Sequence, residues 1–169
     1  MSAEFRLNTR GGHAIEVNLG SLVAALADKS GLMHDLGVAM EGFIFEKFET
    51  ETAPDGTRWK PSLRAQTEGG KTLTDSSQLV SSRTSESGED WAAAGTNKIY
   101  AGVHNDGATI RAKSAKGLRF QLPGGLGFRR VMEVELPRRQ FLGLSDRDEL
   151  ELIETAEDYV RGSAPGASA

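Results

Sequence analysis

The sequence predicts an α+β domain, with a mainly antiparallel sheet packed by two N-terminal helices and a C-terminal helix, and with a long basic hairpin or loop. Three observations carry this reading. Apolar residues recur at three- and four-residue steps between Met33 and Phe48, apolar and polar residues alternate at 13–19 and again at 131–136, and an acidic stretch with helical periodicity follows Ser145.

The first element is a short strand at residues 13–19, where Val17 and Leu19 alternate with Glu16 and Asn18. Ser21 is an acceptable N-cap for a helix carrying Leu22, Val23, Ala25 and Leu26, which stops near Lys29-Ser30-Gly31. A second helix spans 31–49, with Met33, Leu36, Met40, Phe43, Ile44 and Phe48 as its stripe. Gly37 and Gly42 interrupt it, each costing about 1 kcal/mol relative to alanine, which points either to a backbone packed against them or to tolerated imperfection. Pro54-Asp55-Gly56 suits a tight turn, and Trp59 just after it reads as a core anchor. An exposed loop follows at 67–70, then a short helix at 75–82 with Leu79 and Val80 inward. Residues 85–88 read as a loop, and 91–95 and 98–103 as two strands joined near Thr96-Asn97. The hairpin has arms near 108–120 and 128–136 around a Pro123-to-Gly127 tip, with clear alternation only in the second arm. The last helix is capped by Ser145, with Leu150, Leu152, Ile153 and Ala156 available for packing.

At 169 residues, with 38% hydrophobic and 26% charged residues, the chain fits a single domain over residues 1–162 followed by a disordered Gly/Ala/Ser tail at 163–169. A net charge of -4 argues against a protein dedicated to coating nucleic acid. The absence of cysteine rules out disulfides and thiolate-ligated metals. No apolar run resembles a signal peptide or approaches the roughly 20 residues needed to cross a bilayer, so the expectation is a soluble, cytoplasmic protein.

No catalytic set is evident. His13, His34 and His104 are widely separated and form no metal-ligating pair, and neither a Gly-x-Ser-x-Gly elbow nor a phosphate-binding loop occurs. His104, beside Asn105-Asp106-Gly107, is the one triad-like fragment, and it lacks a nucleophile; a strand-end turn residue is the simpler reading. Charge, by contrast, is strongly segregated. Arg111, Lys113, Lys116, Arg119, Arg129, Arg130, Arg138 and Arg139 against Glu133 and Glu135 give +6 between residues 107 and 139. Residues 145–159 give -6, and Asp148 and Glu151 represent that acidic face. The basic segment suits DNA phosphates, the acidic helix of a neighbouring copy, or plain solvation. Aromatic interleaving is limited to Phe120 and Phe128, which weakens the nucleic-acid reading.

Four ordered segments carry more specific information. The Phe43-to-Phe48 helix leads into Pro54-Asp55-Gly56 and Trp59; Leu73, Ser76-Ser77 and Leu79 follow; then Tyr100-Ala101, His104 and Gly107; finally Pro137, Arg139, Phe141-Leu142-Gly143-Leu144-Ser145 and the acidic helix. In this order, over about residues 30–160, they resemble the Mu-like phage virion morphogenesis family. Ser77 stands where that family usually has glycine, and Asn105 where glutamine is more familiar. The resemblance implies a tail-completion or tail-terminator protein at the head–tail junction, with no enzymatic activity and no cofactor or metal. It would act as a ring of copies of itself, sixfold like the tail tube, with tail tube protein and head–tail connector proteins as partners and no membrane contact. It would assemble in the host bacterial cytoplasm and remain in the virion. A head-side neck or minor capsid component is the alternative within this class, and a small DNA-binding module using the basic hairpin is the alternative from another.

Overall fold

Helix α1, Ser30–Thr50, forms where the apolar spacing predicts it and buries Leu32, Phe43, Ile44 and Phe48 along one side. The computed structural model describes residues 27–162; the strand expected at 13–19, nearly all of the helix expected from Ser21, and the tail at 163–169 lie outside them. Glu51 ends α1 in the left-handed conformation, at φ 54°, with its N–H returned to the Lys47 carbonyl. The chain then turns back. Gly56 N–H donates to Ala53 O at 2.9 Å and Thr57 N–H to Asp55 Oδ1 at 2.8 Å, so Trp59 N–H reaches Glu51 O at 2.7 Å and the indole lands on α1.

Strands β1, Arg83–Ser87, and β2, Ala92–Thr96, pair antiparallel and pack across α1. Gly37 lies at that crossing: a Cβ there would sit 3.4 Å from Ser85 Cβ and 3.8 Å from Glu86 O, whereas one at Gly42 would meet open space. A methyl group at Gly37 would therefore touch the hairpin at ordinary contact distance, so both glycines are tolerated rather than required by a close approach. β1 replaces the loop expected at 85–88. Its Ser/Thr/Glu composition carries no apolar alternation, and the pairing with β2 over α1 makes it a strand.

Two further expectations are corrected. The helix at 75–82 shrinks to a 3₁₀ turn at Val80–Ser82, because Ser77 takes a left-handed φ of 56°, incompatible with a continuous helix. Residues 98–103 do not form a strand; helix α3, Ala101–Asp106, takes their place after a fully exposed Ile99. Ala101 and Asn105, four residues apart, are its buried side.

The long hairpin forms as two ladders: β3, Ala108–Arg111, with β6, Glu133–Leu136, and β4, Leu118–Gln121, with β5, Phe128–Val131. Opposite the single residue Met132, the first arm inserts residues 112–117, and this offset is why its alternation is poor. Each of the three ladders is two-stranded and antiparallel, so the α+β class holds without one continuous sheet among the described residues. The hairpin tip is tied down. Gly124 N–H donates to the Glu68 carboxylate of helix α2, Leu63–Glu68.

Helix α4, Asp146–Gly162, opens with a reciprocal cap, in which Asp148 N–H donates to Ser145 Oγ at 3.2 Å and Ser145 N–H to Asp148 Oδ2 at 2.9 Å. The same carboxylate accepts from Lys47 Nζ at 2.7 Å, with side chains only 6% and 3% exposed. Asp148 is thus removed from the exposed acidic face on which the sequence placed it. This pair also fixes the rotation of α4: Leu152, Ala156 and Tyr159 turn inward with Asp148, while Leu150 and Ile153, expected to pack, are 61% and 54% exposed.

Burial pushes the Asp148 carboxyl up, but hydrogen bonds from Lys47 and Ser145 and the lysine charge outweigh it and leave the pKa below its ordinary value. Stability from this pair is therefore full above the unfolded carboxylate pKa of roughly 4 and lost as pH falls through the lower folded value. Asp148→Ala strands a buried lysine and should cost about 3–5 kcal/mol, read by urea unfolding, whereas Lys47→Met with Asp148→Leu should recover most of that loss; equal damage in both variants would refute the buried-pair account. At Ser77, the left-handed backbone costs a side chain about 1–2 kcal/mol, partly offset in a glycine variant by its freer unfolded state. Ser77→Gly should raise Tm by about 2–4 °C; calorimetry showing a lower Tm would mean that the serine is favoured there.

Candidate functional site

All four motifs meet in one core. Trp59 from the first, Leu79 from the second, Ala101 from the third and Phe141 from the fourth cluster on Ile44 and Phe48 of α1, with Leu73 and Leu142 packed at the edge. The Phe48 ring lies 5.0 Å from Phe141 and 5.5 Å from Trp59, the latter edge-on at 86°. Trp59 Nε1–H donates to Gln140 O at 3.0 Å, which satisfies the one polar group of the indole. Trp59 is a core anchor, as the sequence predicts.

The segment 137–145 is threaded through this core by side chains from elsewhere. Asn105 Oδ1 accepts from both Phe141 N–H, at 3.1 Å, and Leu142 N–H, at 2.9 Å, and Arg139 N–H donates to His104 O at 2.8 Å. Orphaning either donor would cost about 1–3 kcal/mol. Gly107, at φ 76°, lets β6 leave the hairpin beside α3, since a Cβ there would lie 2.8 Å from Arg138 N. Gly143 lies against Pro54 of the first motif, with 3.1 Å between its would-be Cβ and the proline Cγ. Tyr100 stays half exposed, its ring edge-on to His104 at 6.1 Å. His104 is a helical residue, rather than the strand-end turn residue expected, and its Nδ1 is buried with no hydrogen-bond partner.

The charged candidates divide. Arg139 is buried at 6% exposure, with Nε donating to Lys60 O at 2.8 Å, so it supports the core and does not belong to a surface patch. Arg111 pairs with Glu133 at 2.7 Å, and Arg138 donates to Gln140. Lys113 and Lys116 sit on the excursion opposite Met132, and Arg129 and Arg130 are exposed on β5. Arg119 covers the Phe128 ring, 4.3 Å from its centroid. On α4, Glu151 remains exposed. Sequence reasoning missed the buried polar residues Lys47 and Thr72, and it placed Asn105 in a turn and a motif without foreseeing its role in holding the core. Lys47 had a signal, since it occupies a position of the α1 apolar stripe, four residues after Phe43.

Among the described residues no group of His, Asp or Glu gathers at metal-binding distance, and no helix is long and apolar enough to cross a membrane. Burial, followed by the nearby Arg139 charge, holds the His104 pKa below its ordinary value. Neutral His104 therefore supports the fold above roughly pH 6.5, and that support is lost as pH falls through the lowered value. Tm should decline between neutral and mildly acidic pH, and His104→Gln should flatten that decline; identical profiles for the two proteins would remove His104 as the titrating group.

Comparison with known proteins agrees with this core. Residues 11–161 match the phage virion morphogenesis family. Over 143 residues the chain is 30% identical to "Mu-like prophage FluMu G protein 2" of Haemophilus influenzae, covering 85% of this chain and 86% of that protein. No solved structure matches. With the match spanning all four core-forming motifs, the chain belongs to the phage virion morphogenesis family.

Proposed function

We propose that the protein is a tail-completion protein, a ring of identical subunits that caps the finished tail tube and offers its other side to head–tail connector proteins. It works by binding and by oligomer geometry, with no bond made or broken. Family membership supports a role in phage assembly. The observation that favours a ring is the placement of two exposed, oppositely charged surfaces on one chain: Arg119, Arg129 and Arg130 on the hairpin, and the outward carboxylates of α4. Two different surfaces that complement each other make a head-to-tail contact, which closes when the rotation per subunit divides a full turn. Sixfold closure would match a tail tube. Rim charges mainly set encounter rate and orientation, so free protein can remain monomeric until a tube end concentrates subunits. Assembly would take place in the host bacterial cytoplasm, and the ring would stay in the virion.

Burial of Arg139 leaves less free positive charge for DNA than the sequence count indicates. Negative-stain imaging of the protein with tail tubes tests the reading directly. Rings at tube ends support it, whereas occupancy on the head side alone would favour a neck or minor capsid role, and retention on DNA at physiological salt without rings would favour a DNA-binding module. Arg129→Glu with Arg130→Glu should impair ring formation or capping while leaving thermal unfolding unchanged, and added salt should weaken assembly of the unmodified protein. Equal assembly after both treatments would overturn the charge-paired contact.

A further inference from the structure

We infer that the contact between neighbouring copies is one defined pairing, in which the Arg119–Phe128–Arg130 face of the hairpin of one copy seats on the Leu150–Ile153 ridge of α4 of the next. This deepens the oligomeric reading above and rests on it.

The hairpin face follows from strand register. Arg119 pairs with Arg130 and Gln121 with Phe128, so these four side chains point to the same side of the β4–β5 ladder. Like charges directly opposite each other weaken a ladder. Among the described residues neither arginine has an ion-pair partner; Arg119 lies over Phe128 instead, and Phe128 is itself 63% exposed. The face is thus a pair of opposed, unneutralised guanidinium groups with an exposed aromatic ring on the neighbouring rung, covered in part by Arg119. Carboxylates placed over it would remove the repulsion, since guanidinium binds carboxylate in a paired, oriented geometry.

Helix α4 presents the complement. Leu150 and Ile153 are one turn apart on its outer side, and both are more than half exposed. Asp146 and Glu154, each four residues from Leu150, fall on the same side and form no ion pair among the described residues. The result is an apolar pair flanked by carboxylates, matched to an exposed aromatic flanked by a pair of arginines. Both surfaces are exposed in the isolated chain, so neither covers the other within one copy. The occupant that fits is a second copy of this chain. Burying Phe128 against Leu150 and Ile153 gives the contact an apolar centre with a charged rim, the usual anatomy of a specific interface.

The chain contains no cysteine, which permits a clean covalent test. Phe128→Cys and Ile153→Cys, placed in one chain and mildly oxidised, should give a ladder of disulfide-linked multimers on a non-reducing gel. Mixing the two single variants should give a linked dimer and nothing larger. Both positions are exposed, so thermal unfolding should match that of the unmodified protein. As a second variant, Leu150→Asp with Ile153→Asp should abolish rings at tube ends. Rings from the unmodified protein together with no ladder, or dimers formed by Phe128→Cys alone, would overturn this pairing while leaving the ring reading intact. No ladder and no rings in any condition, tail tubes included, would overturn both.

Discussion

Phe48 is the position on which the remaining architecture depends. It stands near the end of α1 at 1% exposure, in contact with the rings of both Trp59 and Phe141. The left-handed cap at Glu51 and the Pro54–Gly56 turn serve to return Trp59 to it. On its other side, Phe141 is held by Asn105 and by the bond from the Trp59 indole to Gln140. Because β6 ends just before this segment and α4 begins just after it, the aromatic contact also sets where the hairpin and the acidic helix leave the core.

Features governed by local chemistry were legible in the sequence. The α1 stripe, the Pro-Asp-Gly turn, the Ser145 cap and the hairpin around residues 123–127 each follow from residues within a turn or two of one another. Features decided by distant partners were not. Arg83–Ser87 is a strand only because β2 and α1 lie against it, and Ala101–Asp106 is a helix because Ala101 and Asn105 meet the core on one side. The left-handed backbone at Ser77, a conformation that glycine adopts without strain, likewise overrides a plausible helix.

The candidate site was legible in part, for a related reason. The motifs that carry the family resemblance turn inward, so they report the core rather than a contact surface. Arg139 and Asp148 read as members of charged patches, because sequence shows sign and spacing but not burial; each is consumed by an internal bond, to Lys60 O and to Lys47. The outward surface left over lies between the third and fourth motifs and after the fourth. The proposed assembly contacts are thereby separated from the residues that hold the fold, and a surface on the hairpin can change without disturbing the aromatic core.

The order of the core residues along the chain also has a kinetic consequence. Phe48 and Trp59 are 11 residues apart and can meet as soon as the turn closes, but Phe141 lies 93 residues beyond Phe48. Closing that loop is the long-range step, and loop closure of this kind slows folding. During synthesis the apolar surfaces of α1, Trp59 and Leu79 must wait uncovered until residue 141 has left the ribosome. Chains cut short before that point would expose a sticky half-core, which makes the Phe141 segment the point at which a nascent chain becomes safe from aggregation.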